Sequence, residues 1–278
     1  MFMSNILNYM RKKNATALHQ RILASFICFL FLLTSVNGQS FSSTSQKDKD
    51  SKEVTIGFGV YSSPSYEGGK KYTTRATPFL NLKFKNISIN PITGFRANFI
   101  KWENWSGGVG LGGNFGRYAK QDQYLSGIGN VSGTLESIVF AKYKAQLYSI
   151  NYALYTDILR NGHKGSYLKG SLDTGFPLLD IGTFVRASLS MTLADKNYLD
   201  SFFRVSPSQS LSSGLPEYYL SPGLKDIAAN LLLIYKFNDR VSLSSSLSYK
   251  ELMGEVAKSP IVQKKSLFSG GISLNYRY

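Results

Sequence analysis

From Val54 to the last residue, apolar and polar positions alternate with a period of two. In the final segment Phe268, Gly270, Ile272, Leu274, Tyr276 and Tyr278 share one face, and Leu267, Ser269, Gly271, Ser273, Asn275 and Arg277 the other. Successive side chains of a strand point to opposite faces, so this pattern predicts a strand with one greasy side. The same file recurs in Val54, Ile56, Phe58 and Val60, in Ala76, Pro78, Leu80, Leu82 and Phe84, and in Val241, Leu243, Leu247 and Tyr249. A soluble sandwich would alternate too. Segments 181–193 and 227–237, however, exceed the usual strand of about 5–6 residues. They match the roughly 9–11 residues that a tilted strand needs to cross a bilayer. In lipid every backbone group must be paired inside the protein, so crossing strands have to close into a ring.

Strands are expected at 53–62, 72–85, 86–101, 105–117, 130–143, 146–159, 165–178, 181–194, 223–238, 240–253 and 264–278. Single-chain bacterial barrels carry an even number of strands. The segment 86–101 contains Pro91 and Gly94, which mark a break. Splitting it gives twelve strands, and merging it with a neighbour gives ten. The expected fold is therefore all-β: a closed antiparallel transmembrane β-barrel of twelve strands, with ten as the alternative and one long outer loop. Short turns such as 144–145 and 238–239 belong on the periplasmic side. Loops 118–129, 195–222 and 254–263 and the turn 161–165 then lie outside. Loop 195–222 is rich in aromatic residues and is expected to fold over or into the barrel mouth. Tyr276 and Tyr278 are read as a C-terminal signal for the barrel-assembly machinery.

The N-terminus changes the charge balance. Residues 22–33 are continuously apolar but too short for the roughly 20-residue helix that spans a bilayer. Arg11, Lys12, Lys13 and Arg21 precede the stretch, and Val36-Asn37-Gly38 follows it. This predicts a signal peptide over 1–38, a flexible periplasmic leader over 39–52 and a barrel over 53–278 in the outer membrane of a Gram-negative bacterium. Removing the signal takes four of 32 basic residues and none of 17 acidic ones, leaving a net charge of +11. Cys28 and His19 leave with it, so no thiol remains and His163 becomes the sole histidine. The basic residues are scattered singly, with no stripe or reading motif for nucleic acid. Outer-membrane lipid and lipopolysaccharide are the expected partners of that charge.

Several short motifs are spread along the chain: Pro64-Ser65-Tyr66-Glu67-Gly68, Leu125-Ser126-Gly127-Ile128-Gly129-Asn130, Gly162-His163-Lys164-Gly165, Phe202-Phe203-Arg204-Val205-Ser206, Ser213-Gly214-Leu215-Pro216-Glu217-Tyr218 and Ser259-Pro260-Ile261-Val262. In order and spacing the chain resembles the MipA/OmpV outer-membrane proteins over roughly 54–278. It departs from the family's pattern at Arg204, where a small residue is usual, and at Tyr278, where Phe is common. The resemblance implies a scaffold role that links a murein transglycosylase to a penicillin-binding protein, or an adhesin role at the cell surface.

Candidate chemistry is sparse. There is no G-x-S-x-G elbow, and His163 sits alone in a glycine-flanked turn, so no catalytic residue is assigned. No cluster of His and Cys is available for a metal, and no cofactor is implied. Glu136, Asp157 and Asp173 are read as lumen charges facing Arg75, Lys83, Arg96, Lys142, Lys169, Arg186 and Lys236. A filled barrel held by such pairs is favoured over a small cation-lined pore for anions. Tyr198, Phe202, Phe203, Arg204, Tyr218 and Tyr219 are the candidate interaction residues of the outer loop. Tyr61, Trp102, Trp105, Tyr143, Tyr235, Phe237, Tyr276 and Tyr278 are expected in the interface girdles.

Overall fold

The protein is described by a computed structural model covering residues 52–278 except 92 and 179–181. Twelve strands run β1 (Lys52–Pro64), β2 (Tyr72–Phe84), β3 (Ile87–Asn90), β4 (Gly94–Trp102), β5 (Trp105–Asn114), β6 (Thr134–Lys144), β7 (Tyr148–Asp157), β8 (Ser166–Leu178), β9 (Thr183–Ala194), β10 (Gly223–Lys236), β11 (Val241–Leu252) and β12 (Ser266–Arg277). Each pairs antiparallel with its chain neighbours, and β1 pairs with β12 to close the ring. The terminal residue takes part in that closure, because the Tyr278 amide donates to the Val54 carbonyl at 2.9 Å.

The break at Pro91 is real. β3 and β4 form a short hairpin between β2 and β5. Gly94 restarts the chain at φ +76°, where a Cβ would lie 2.1 Å from the Leu111 carbonyl oxygen. Neither the left-handed backbone nor that close approach suits any other residue.

The alternation sets which side chains meet lipid. Phe58, Val60, Val139, Leu154, Leu247, Ile272 and Leu274 all lie exposed on the outer face. Trp102, Trp105, Tyr235, Phe237 and Tyr278 are exposed near the short-turn end, as a girdle requires. Tyr61 differs from that expectation. It shares the inward face with Gly57 and Gly59, and its hydroxyl donates to Ser269 Oγ at 3.0 Å. Strand parity overrides nearness to a strand end.

The packed apolar core lies in the loops rather than the wall. Loop 195–222 folds into α1 (Lys196–Phe203) and α2 (Pro207–Ser213). The Asp195 carboxylate accepts the Tyr198 amide at 2.8 Å and the Ser166 amide at 2.7 Å, capping α1 and tying it to β8. Ser206 and Gln209 form a reciprocal capping box at α2, Pro207 stands inside its start, and Gly214 ends it in the left-handed conformation. Asp195→Ala is expected to destabilise the cap by about 1 kcal/mol. The loop should then be cut faster in limited proteolysis, while the strands remain protected.

Candidate functional site

The outer end of the barrel carries a cap of packed loops. Tyr198, Leu199, Phe202 and Phe203 of α1 are buried against Val131, Leu220, Leu252, Val256 and Leu267. A second cluster joins Tyr66, Leu125, Ile128, Val205 and Ile261, so residues from four loops share one core. Arg117 is nearly fully buried and donates from its guanidinium to the Phe202 carbonyl. Burial pushes its pKa down to about 10. The Tyr66 hydroxyl donates to the Ile261 carbonyl at 3.0 Å, and burial raises its pKa.

Below the cap lies a cavity of about 650 Å³. Its roof is pinned by one acidic side chain. Glu67 projects from the β1–β2 loop and accepts Lys225 Nζ at 2.9 and 3.0 Å and Lys250 Nζ at 2.8 Å. Lys225 also pairs with Asp226 at 2.8 Å and sits 5.6 Å from the Tyr198 ring centre. Burial alone would raise the Glu67 pKa, but the two ammonium groups prevail and hold it well below the usual carboxylate range.

A second polar knot surrounds His163. Its Nε2 stands 2.9 Å from Glu136 Oε1, and the Gly165 amide donates to its Nδ1 at 3.2 Å. This geometry places the ring proton on Nε2, toward the carboxylate. Glu136 also accepts from Asn114 Nδ2 and the Tyr167 hydroxyl, each at 3.2 Å. His163 packs edge-on to Tyr198, and Tyr167 stacks on Tyr155 at 4.6 Å. No hydroxyl nucleophile is hydrogen-bonded to the imidazole among the described residues, so the ring's contacts are those of a brace. His163→Ala would leave Glu136 buried with two neutral donors and open a void among the aromatics. A loss of about 3 kcal/mol is expected, read as a lower denaturation midpoint in detergent.

The remaining candidate residues fall in different places. The Asp157 carboxylate accepts Thr134 Oγ1 and the amides of Arg160, Gly162 and Lys164, and so organises the 158–165 turn. Asp173 pairs with Arg186 at 3.0 Å. Arg96 donates to the Tyr155 hydroxyl at 3.0 Å and lies over the Phe140 ring. Arg75, Lys83, Lys142, Lys169 and Lys236 form no salt bridge among the described residues. Tyr198, Phe202 and Phe203 point into the cap, whereas Arg204 stacks on the half-exposed Tyr219. The Tyr218 hydroxyl donates to the Glu255 carbonyl at 2.8 Å. Tyr276 and Tyr278 pack edge to face at the closing seam. Glu67, Lys225, Lys250 and Asp226 were not among the sequence candidates. The quoted motif around Glu67 was the available signal, but nothing in it names a partner.

A closed antiparallel ring with a greasy outer face, a polar lumen and long loops at one end defines an outer-membrane β-barrel. The chain belongs to the family described as MltA-interacting protein MipA, whose model matches residues 56–278. Among solved structures it is similar to Pseudomonas putida OprB, at 8% identity over 83% of this chain and 95% of that one, with a TM-score of 0.33. It is also similar to a monoaromatic hydrocarbon channel, CymD, at 9% identity over 84% and 89% of the two chains, with a TM-score of 0.35. For BamA from Haemophilus ducreyi, lacking POTRA domains 1–3, the figures are 11%, 80%, 70% and 0.32. No curated protein matches the chain.

Proposed function

We propose that this protein is a non-enzymatic scaffold of the outer membrane that holds a murein transglycosylase at the inner surface of that membrane. The observation that carries this reading is the cap. Four loops share a packed core across the outer mouth, an arrangement suited to a rigid platform more than to free passage of solutes. The family's description names an interaction partner of that kind. The periplasmic turns are short, two residues at 85–86 and at 103–104, so the partner's footprint would combine several turns with the leader 39–52, which apart from Lys52 lies outside the described residues, as does the expected signal peptide. Chemical crosslinking of intact envelopes followed by pull-down is expected to recover a murein transglycosylase, with a penicillin-binding protein alongside. Absence of murein enzymes from the crosslinked material would contradict the proposal.

One feature favours a second reading, a small anion-preferring pore. Lys83 and Arg186 both lie close enough to Lys142 to act on it electrostatically, with Asp173 as the nearby acid. That cationic layer would select anions if the mouth were open.

A further inference from the structure

The barrel wall has a window. β3 meets β2 only at Leu82, Lys83 and Phe84, so from Tyr72 to Asn81 β2 is paired with β1 alone. That unpaired edge runs for about 30 Å at the usual strand rise. On the far side, β4 pairs with β5 no higher than Leu111, and Gly112 to Asn114 pair with β6 alone. The hairpin tip at Thr93 is the sill. Above, Ser65 donates to Asp122 at 3.1 Å and Tyr66 packs with Leu125 and Ile128, which ties the β1–β2 loop to the β5–β6 loop as a lintel.

Unbonded strand edges do not persist against hydrocarbon; they occur where they border a water-filled space. The cavity under the cap supplies that space, for Thr93, Gly112 and Gly113 line it. An added strand from a partner is disfavoured on the β2 side. Phe84 and Ile87 close a two-residue turn, so the even-numbered residues of β2 direct their backbone groups toward the gap. Pro78 is one of them and has no N–H to offer. The β2 flank of the window is lipid-facing and apolar, with Ala76, Pro78 and Leu80. Across the lumen, on β8, five strands away from β3 in a ring of twelve, Lys169 lines the same cavity and forms no ion pair among the described residues. The volume is in the range of ordinary small-molecule sites, about 300–1,000 Å³.

We propose that the window is a side entrance from the membrane to the lumen for a single-chain anionic amphiphile, with its tail between β2 and β5 and its head group on Lys169. The inference stands independently of the scaffold reading.

The test uses the protein in phospholipid vesicles, with Cys28→Ser as background and a small fluorophore on one introduced cysteine. Ser248→Cys reports the cavity, and Leu247→Cys, one residue away on the outer face, reports lipid. A brominated long-chain fatty acid should quench both. Lys169→Ala should weaken quenching at 248 about tenfold, the loss of one charge-assisted contact. Gly113→Trp should abolish it by filling the window, since a Cβ there meets nothing within 4 Å. Heat-modifiable migration on a gel checks that each variant is folded. Quenching at 247 but not at 248 would overturn the proposal. So would equal quenching at 248 by a brominated two-chain phospholipid, or slow amide exchange at Thr74 and Ala76 in vesicles holding this protein alone, the mark of a second copy covering the edge.

Discussion

Glu67→Ala is expected to cost about 3–5 kcal/mol, the usual penalty for removing one partner of a buried ion pair. Two ammonium groups converge on this one carboxylate, and Lys225 is almost fully enclosed. Without Glu67, Lys225 keeps only Asp226, and Lys250 lies 3.9 Å from the same acid. Two charges would then compete for one counter-charge under the cap. Glu67→Ala combined with Lys225→Met should recover much of the loss, because the stranded charge goes with its partner. The pH dependence has a defined sign. The folded carboxyl is held below its ordinary value, so its stabilisation is complete above about pH 4.3 and is lost as pH falls from there through the depressed folded value. Denaturation midpoints of the wild type in detergent should fall through that acid window, and those of Glu67→Ala should fall less steeply.

Phe203→Ala should be the most damaging single truncation in the cap. The ring is 1% exposed and belongs to the core that includes Leu199, Leu252 and Val256. Truncating a buried Phe costs about 3–5 kcal/mol. The ladder hydrogen bonds of the strands do not run through that ring, so the loss should fall mainly on the loops. The variant should still migrate as a folded barrel, yet lose protease protection across 195–222. It should also acquire ion conductance that the wild type lacks. A variant that unfolds wholesale would show instead that cap and wall form one cooperative unit.

The wall was legible in the sequence because alternation is a local signal, and lipid imposes it on every strand. Even the irregular hairpin was marked, by Pro91 and Gly94. The two helices of the cap were legible in principle: Asp195, the Ser206–Gln209 box with Pro207 inside it, and Gly214 are start and stop signals. These signals are interspersed with aromatic residues, whose pattern speaks for burial and carries no mark of a helix. The ion-pair roof left no local trace, since Glu67 lies 158 residues from Lys225 and 183 from Lys250. Glu136 and His163 are 27 apart and meet only because the 158–165 turn folds back on β6. Period-two reasoning assigns a face to each residue, and it cannot say which inward charges share a height.

If the packed loop core seals the lumen from the outside, the barrel carries no current. Planar-bilayer recording of the refolded wild-type protein tests this most directly. The expected record shows no stable conductance steps at moderate voltage, with steps appearing only once Phe203→Ala loosens the cap. Stable, anion-selective steps from the wild type would contradict it and establish the barrel as a pore.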